Sequence, residues 1–567
     1  MPKILSIEEK LLKNLPPAEM AGRLMTLPAP RRLAALLERE DAEAVVAALP
    51  EPDFHLFVKE LGADSAAPLL AMARPEQFTH LLDVDCWQGD ELLAGKTLAW
   101  CEAMIAANEV KLLNWLYQVD FEFLVVFFKK WIDQVETIED EDDYQEESDV
   151  LPRLTIDNQY YFSTRYPNHE PLLKYILGYL FENHHDFYLA LLHQVRAGLD
   201  TETGELAYRF HRGRLADHAI PDLEEAVAIY HPLPAHRINR DKTILQPGEE
   251  NATPPTFAMA VVRRRDLLGA ALARINDPAD QATLRQELAA LANKVLIADR
   301  LDADDPANLQ RAADKAAAMI NLGLELFSGD DEAGGAETLR QVYLENLFRL
   351  GHHHLAALTG RMQGFIDNEL PRCWPAGLNL VDEPWQERIN LLTAKTPIIM
   401  RPQSNGPTEE DFVRSRADLE RVERLIGLLT PLPALLAQCR EQCREEWEQL
   451  AARLSRKGQI HNLNDITLGS LLFTGAANEL WTGSFEISAL PLPLWGDIAP
   501  LLAPEAMAKA ITARLRTMLA GNVLLPDAEA YLQPLLDRYR QEMGHRTALP
   551  DPRMMPFLLF TEAAACR

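Results

Sequence analysis

The chain has 567 residues, of which 47% are hydrophobic and 25% charged. These are globular values that exclude wholesale disorder and predict roughly two to four domains. A formal net charge of −29 repels phosphate backbones and anionic lipid, which excludes nonspecific nucleic-acid and membrane-surface binding.

The N-terminus, MPKILSIEEKLLKNLPP, lacks the basic region, apolar core and cleavage site of a secretory signal. Six cysteines, at 86, 101, 373, 439, 443 and 566, follow no disulfide-framework or zinc-ribbon spacing. Both features predict a cytoplasmic protein. The most apolar run, FLVVFF at 123–128, is far below the roughly 20 residues that span a bilayer, so no membrane insertion is expected.

Residues 1–135 read as short helices restarting at Leu27-Pro28, Leu49-Pro50 and Arg74-Pro75. Proline suits a first helical turn, where its missing N–H would have no intrahelical partner. Apolar residues fall at helical spacing between restarts, and a single helix pair cannot bury its own apolar face, so successive pairs are expected to stack. The leucine–proline rhythm of residues 20–82 resembles the N-terminal superhelical domain of MgtE-type magnesium transporters and the flagellar motor-switch repeats. That resemblance implies a module for regulation and protein contact. The transmembrane half of such a transporter is missing, so transport is not implied.

A second resemblance rests on LLDVDCWQGDELL (81–93), AIPDLEEAVAIY (219–230), LANKVLIADRLDADDP (291–306), MINLGLELFSGDDEAGGAETLRQVYLENLFRLG (319–351) and LLFTGAANELWTGSFEISALP (471–491). Together these resemble an uncharacterised bacterial family, a domain of unknown function. A bacterial source and a shared helical fold are implied, and no catalytic residue is carried over.

The remaining organisation follows from composition. An acidic linker is expected at 136–150, a second helical block at 151–235 with Pro221 in a first helical turn, and a Pro-rich linker at 236–256. Residues 257–567 are expected to form a C-terminal helical domain. Its clearest spans are 279–299, 306–327, 336–367, 408–427 and 434–456, with Asp305-Pro306 as a helix start and 483–495 as the extended piece. The fold class is therefore all-α: a superhelical array of short helix pairs followed by larger multi-helix domains.

Motifs for local chemistry are absent: there is no phosphate loop, nucleophile elbow or H-E-x-x-H. FSGDDEAGGAETL (327–339) reads as a helix-connecting turn, since its acidic residues oppose a phosphate and its spacing fails the calcium loop. Two Glu-x-x-His pairs, Glu182/His185 and Glu542/His545, have the spacing that places two ligands on one helix face in di-metal bundles. They are the candidate ligands for a divalent metal, and no other cofactor is expected. Cys439 and Cys443 fit one helix face as buried thiols, and the histidines of 184–236 fit polar helix and loop positions. The aromatics of 115–132 fit a core helix.

GHHH at 351–354 resembles a metal signature, but consecutive helical residues diverge by about 100° and do not converge on one ion. Gly351 lies in the apolar stripe through Leu344, Leu347, Leu355, Leu358, Met362 and Phe365, where a missing side chain admits a close helix approach. The expected function is a non-enzymatic protein-interaction scaffold or regulatory module with a protein partner. The rivals are a metal-dependent enzyme, or a divalent-cation sensor, with a site assembled from distant helices.

Overall fold

The computed structural model describes residues 15–137, 151–243, 255–402, 408–454, 462–544 and 555–562. The fold is all-α, with only small sheets. The chain divides into two compact units, residues 1–351 and 352–567. The acidic tract, most of the Pro-rich linker, His545 and Cys566 lie outside the described residues.

The first unit opens with α1 (Pro17–Leu24), α2 (Ala29–Leu37), α3 (Ala42–Ala47), α4 (Glu51–Leu61), α5 (Ala67–Met72) and α6 (Pro75–Asp85). Helices α2, α4 and α6 begin at the three proline restarts, with Pro28 and Pro50 at the N-cap and Pro75 in the first turn. Each of the first five packs on the next but one, α5 meeting α7 (Ala94–Leu116). This is how short amphipathic helices bury faces that one pair would leave exposed. Between α6 and α7, Trp87–Gln88 (β1) pairs with Glu91–Leu92 (β2).

Helix α8 (Phe121–Trp131) buries Phe123, Phe127, Phe128 and Trp131 as a core helix. It leads into β3 (Ile132–Thr137), which joins β4 (Leu154–Thr155) and β5 (Tyr160–Thr164) in the order β3-β5-β4. The Glu182/His185 pair expected on one helix face falls across two helices, α9 (Glu170–Asn183) and α10 (His185–Ala197). His184 leaves the helical region at φ −145°, ψ 60°, and its ring packs 4.1 Å from that of Tyr117. After α11 (Asp200–Asp217), Pro221 precedes the helix rather than opening it. Asp222 is the cap of α12 (Leu223–Val227), accepting from Glu225 N at 2.8 Å.

Four further helices follow in this unit: α13 (Leu267–Ala273), α14 (Pro278–Ala298), α15 (Pro306–Ser328) and α16 (Glu332–Gln341). Asp305, the expected start of α15, and Asp331, within the expected connecting turn, accept from backbone N–H groups at the starts of α15 and α16 and cap them. The helix expected from 336 ends at Gln341 and restarts as α17 (Leu344–Gly364). Lys242 N–H takes the Gln341 carbonyl at 3.1 Å, and the Glu287 carboxylate accepts from Leu344 N at 2.9 Å, so both new helix ends are satisfied.

Gly351 faces α15 as the stripe predicts. A Cβ there would lie 2.3 Å from Met319 O, and one at Gly323 would lie 1.9 Å from Leu347 O, so α15 and α17 meet backbone to backbone. Near the Pro-rich segment, buried Asp53 on α4 accepts from Thr256 N at 2.9 Å, Thr256 Oγ1 at 2.7 Å and Phe257 N at 2.8 Å. Burial raises its carboxyl to about 6 against the pull of those donors.

The second unit contains α18 (Leu370–Cys373), α19 (Trp385–Thr393), a hairpin of β6 (Ile398–Arg401) and β7 (Glu409–Phe412), α20 (Arg416–Leu429), α21 (Leu432–Glu441), α22 (Trp447–Ala452) and α23 (Leu468–Thr482). The hairpin replaces the expected helix start at 408. The expected helix over 434–456 breaks after Glu441, where the Arg440 guanidinium donates to Glu445 O at 2.6 Å. Cys443 therefore lies beyond the helix that carries Cys439. Next come β8 (Leu490–Pro491), α24 (Trp495–Ile498), α25 (Pro504–Met518), α26 (Leu525–Gly544) and β9 (Phe560–Thr561), β8 and β9 pairing in parallel.

Buried Asp382 anchors the start of α23, accepting from Gly469 N at 2.8 Å and from Tyr531 OH at 2.9 Å, with Thr467 as a third donor. One helical run among the described residues, Arg416–Glu441, meets the length and hydropathy of a membrane span; it comprises α20 and α21, divided at Thr430-Pro431.

Candidate functional site

The first unit places an unusual charge inventory in its interior. His55, His80, Asp83, Asp85 and His211 are each only 3% exposed, whereas isolated charges are costly to bury and persist only when paired. Helix α4 supplies His55 and Lys59, α6 supplies His80, Asp83 and Asp85, and α11 supplies His211 and Arg214.

Two carboxylates organise the cluster. Asp85 Oδ1 lies 2.9 Å from His55 Nε2, while Oδ2 accepts from Lys59 Nζ at 2.7 Å and Trp100 Nε1 at 3.1 Å. Burial works to raise this carboxyl, but the bonds and charges of His55 and Lys59 outweigh it and hold Asp85 below the usual range. Asp83 receives a two-pronged grip from Arg214, Nε to Oδ2 at 2.7 Å and Nη2 to Oδ1 at 2.8 Å. Its Oδ1 also lies 3.1 Å from His211 Nδ1. Arg214 reaches Asp120 as well, tying α11 to both α6 and the start of α8.

His80 stands between these pairs. Its ring meets His218 at 4.4 Å and His55 at 6.0 Å, both edge-on. Burial first, then the neighbouring His218 and His55, holds its basicity well below the ordinary histidine value, so His80 is neutral at physiological pH. Its Nδ1 is buried without a hydrogen-bond partner among the described residues. Trp87 stacks on His211 with ring centroids 4.3 Å apart and planes 12° from parallel, and its Nε1 is likewise buried and unpartnered.

Both rings line one cavity of about 280 Å³, with Tyr208, Leu215, Phe257 and Asn293 among its other walls. His80 and Asp83 also line a neighbouring cavity of about 250 Å³. Its lining thus combines apolar walls with His55, Asp83 and His211 of the two pairs and with His80 and Trp87, whose buried ring nitrogens have no partner among the described residues, an arrangement suited to holding a small molecule that forms hydrogen bonds.

The metal candidates chosen from sequence sit elsewhere. Glu182 lies in the last turn of α9 and His185 begins α10, so the break at His184 removes the shared helix face; both are exposed. His185 packs on Phe181 at 5.1 Å. Glu542 accepts from Arg538 Nε at 3.0 Å, and His545 is outside the described residues. Among the described residues no group of three or more His, Cys, Asp or Glu is arranged to hold a metal ion.

Of the histidines grouped in sequence at 184–236, His211 and His218 belong to the cavity cluster, while His55 and His80 come from the N-terminal helices. The available signal was local. LLDVD (81–85) sets two acidic residues into an otherwise apolar helical run, a position that demands buried partners.

Fold and site together define an all-α protein with an internal histidine–aspartate cavity in its first unit. The chain belongs to the family of unknown function DUF6178, whose model matches residues 9–561. No curated protein and no solved structure matches it.

Proposed function

We propose that this is a non-enzymatic, cytoplasmic regulatory protein. In this reading its first unit binds a small hydrogen-bonding ligand in the His80–Trp87 cavity, and its N-terminal helices form a superhelical surface for a protein partner. The observation that carries the reading is that two residues lining one cavity, His80 and Trp87, each keep a buried ring nitrogen without a hydrogen-bond partner among the described residues. Leaving such a group unpaired costs about 1–3 kcal/mol, which a ligand accepting from the indole N–H and bonding to the imidazole would recover. The stacked packing of α1–α7 and the MgtE-like leucine–proline rhythm support the partner surface by analogy of architecture.

The test is a titration of ¹⁵N-tryptophan-labelled protein with small planar carbonyl compounds such as benzamide and nicotinamide. The reading expects a saturable shift of the Trp87 indole resonance that weakens in His80→Phe. If none of the compounds moves that resonance, the ligand-binding reading fails. The rival of a metal-dependent enzyme or cation sensor predicts stoichiometric metal in the purified protein, lost in His185→Ala.

A further inference from the structure

The second unit carries a groove of about 500 Å³ whose floor is apolar and whose cationic side chains are disproportionate for so acidic a chain. Helix α19 contributes Trp385 and Arg388, β6 contributes Ile399 and Met400, and α20 contributes Arg421, Arg424 and Leu425. Among the described residues Asp527 on α26 is the one acidic residue in the lining, against three arginines. The local balance is therefore positive in a molecule whose total is −29.

The three arginines are held differently. Arg388 lies over the Trp385 ring, its Cζ 4.9 Å from the centroid. Arg421 donates to Asp418 at 3.0 Å through one nitrogen, with its side chain 47% exposed. Arg424 is exposed and forms no ion pair among the described residues. The floor is anchored, since Trp385 is only 7% exposed and donates through Nε1 to Tyr531 O at 2.9 Å. Met400 gives it an adaptable, unbranched wall.

We propose that this groove binds a single-headed amphiphilic anion, a fatty carboxylate, with the apolar chain between α19, α20 and β6 and the carboxylate on Arg424 and Arg421. Size and charge both select this occupant. The volume lies in the range of small-ligand pockets, and a guanidinium pairs with a carboxylate in a two-pronged fashion. The acidic field of the whole chain penalises each added negative charge on an incoming partner. One carboxylate on an apolar tail meets the groove with the least repulsion, whereas an acidic peptide brings several charges into it.

The experiment is calorimetric titration of the full chain with micromolar dodecanoate, compared with dodecanol and dodecyltrimethylammonium. Dodecanoate should bind one to one and the other two markedly more weakly. Arg424→Glu should weaken dodecanoate by about tenfold or more, while Lys509→Glu, the same charge change at an exposed position of α25, should stay within about twofold. Equal binding of the three amphiphiles, unsaturable uptake, no binding of dodecanoate, or an unchanged affinity in Arg424→Glu would each overturn the proposal. Groove and His80 cavity belong to separate units and are tested by separate variants, so either reading can fail alone.

Discussion

Gly323→Ala tests whether α15 and α17 are in backbone contact. The added Cβ would lie 1.9 Å from Leu347 O, while ordinary contact begins near 3.4 Å, so the helices must separate by about 1.5 Å. No side chain can yield, because the obstructing atoms are the carbonyl oxygen and carbon of Leu347. Overpacking of this kind costs about 3 kcal/mol or slightly more. The better helix propensity of alanine returns about 1 kcal/mol, leaving a net loss of about 2 kcal/mol. Hydrogen exchange read by mass spectrometry over residues 310–325 should then speed up by about thirtyfold.

Gly360→Ala supplies the control. It lies on α17 with nothing within 4 Å of its Cβ position, so local protection should stay level or rise, by up to about 1 kcal/mol. If Gly323→Ala is as protected as the wild type, or more so, intrinsic propensity has won and the close approach is wrong.

Three further outcomes follow from buried groups. Arg214→Gln removes both prongs from Asp83, whose side chain is 2% exposed, and should lower stability by about 3 kcal/mol. Adding Asp83→Asn should restore part of that loss in a thermal-unfolding comparison; no recovery would deny the pairing. Asp382, whose carboxyl burial raises from 3.8 to about 6 despite its three donors, should give a pH-dependent difference from Asp382→Asn. The fold favours the neutral acid, so this contribution is present at low pH and is lost as pH rises through about 6. From about pH 4 to about pH 7 the Asn variant should gain on the wild type by up to about 3 kcal/mol in urea unfolding, and a constant difference would refute the shift. Burial pushes the Cys86 and Cys439 thiols up to about 12 and that of Cys101 higher still. All three should resist iodoacetamide in the native protein and react only after denaturation; prompt native labelling would contradict their burial.

Features legible in the sequence were those that local chemistry settles alone. Prolines marked the starts of α2, α4 and α6, Asp305 marked its cap, and Gly351 interrupted an apolar stripe where backbone now meets backbone. Breaks settled by distant partners were missed. Helix α16 ends where Lys242 takes the Gln341 carbonyl, a bond across about a hundred residues that no local pattern encodes. The cavity was hidden for the same reason, since Asp83 meets His211 and Arg214 across 128 and 131 residues. Glu182 and His185 share a sequence motif but no helix.

Asp53 bears on where this chain can be cut. The Pro-rich segment is the natural place to divide it into expression fragments, yet this aspartate's donors among the described residues, Thr256 and Phe257, lie on the far side. An isolated piece ending before residue 255 would keep a core carboxylate without its Thr256 and Phe257 donors. Such fragments should be poorly soluble alone and should recover when the two are produced together, as complementing halves of one folding unit.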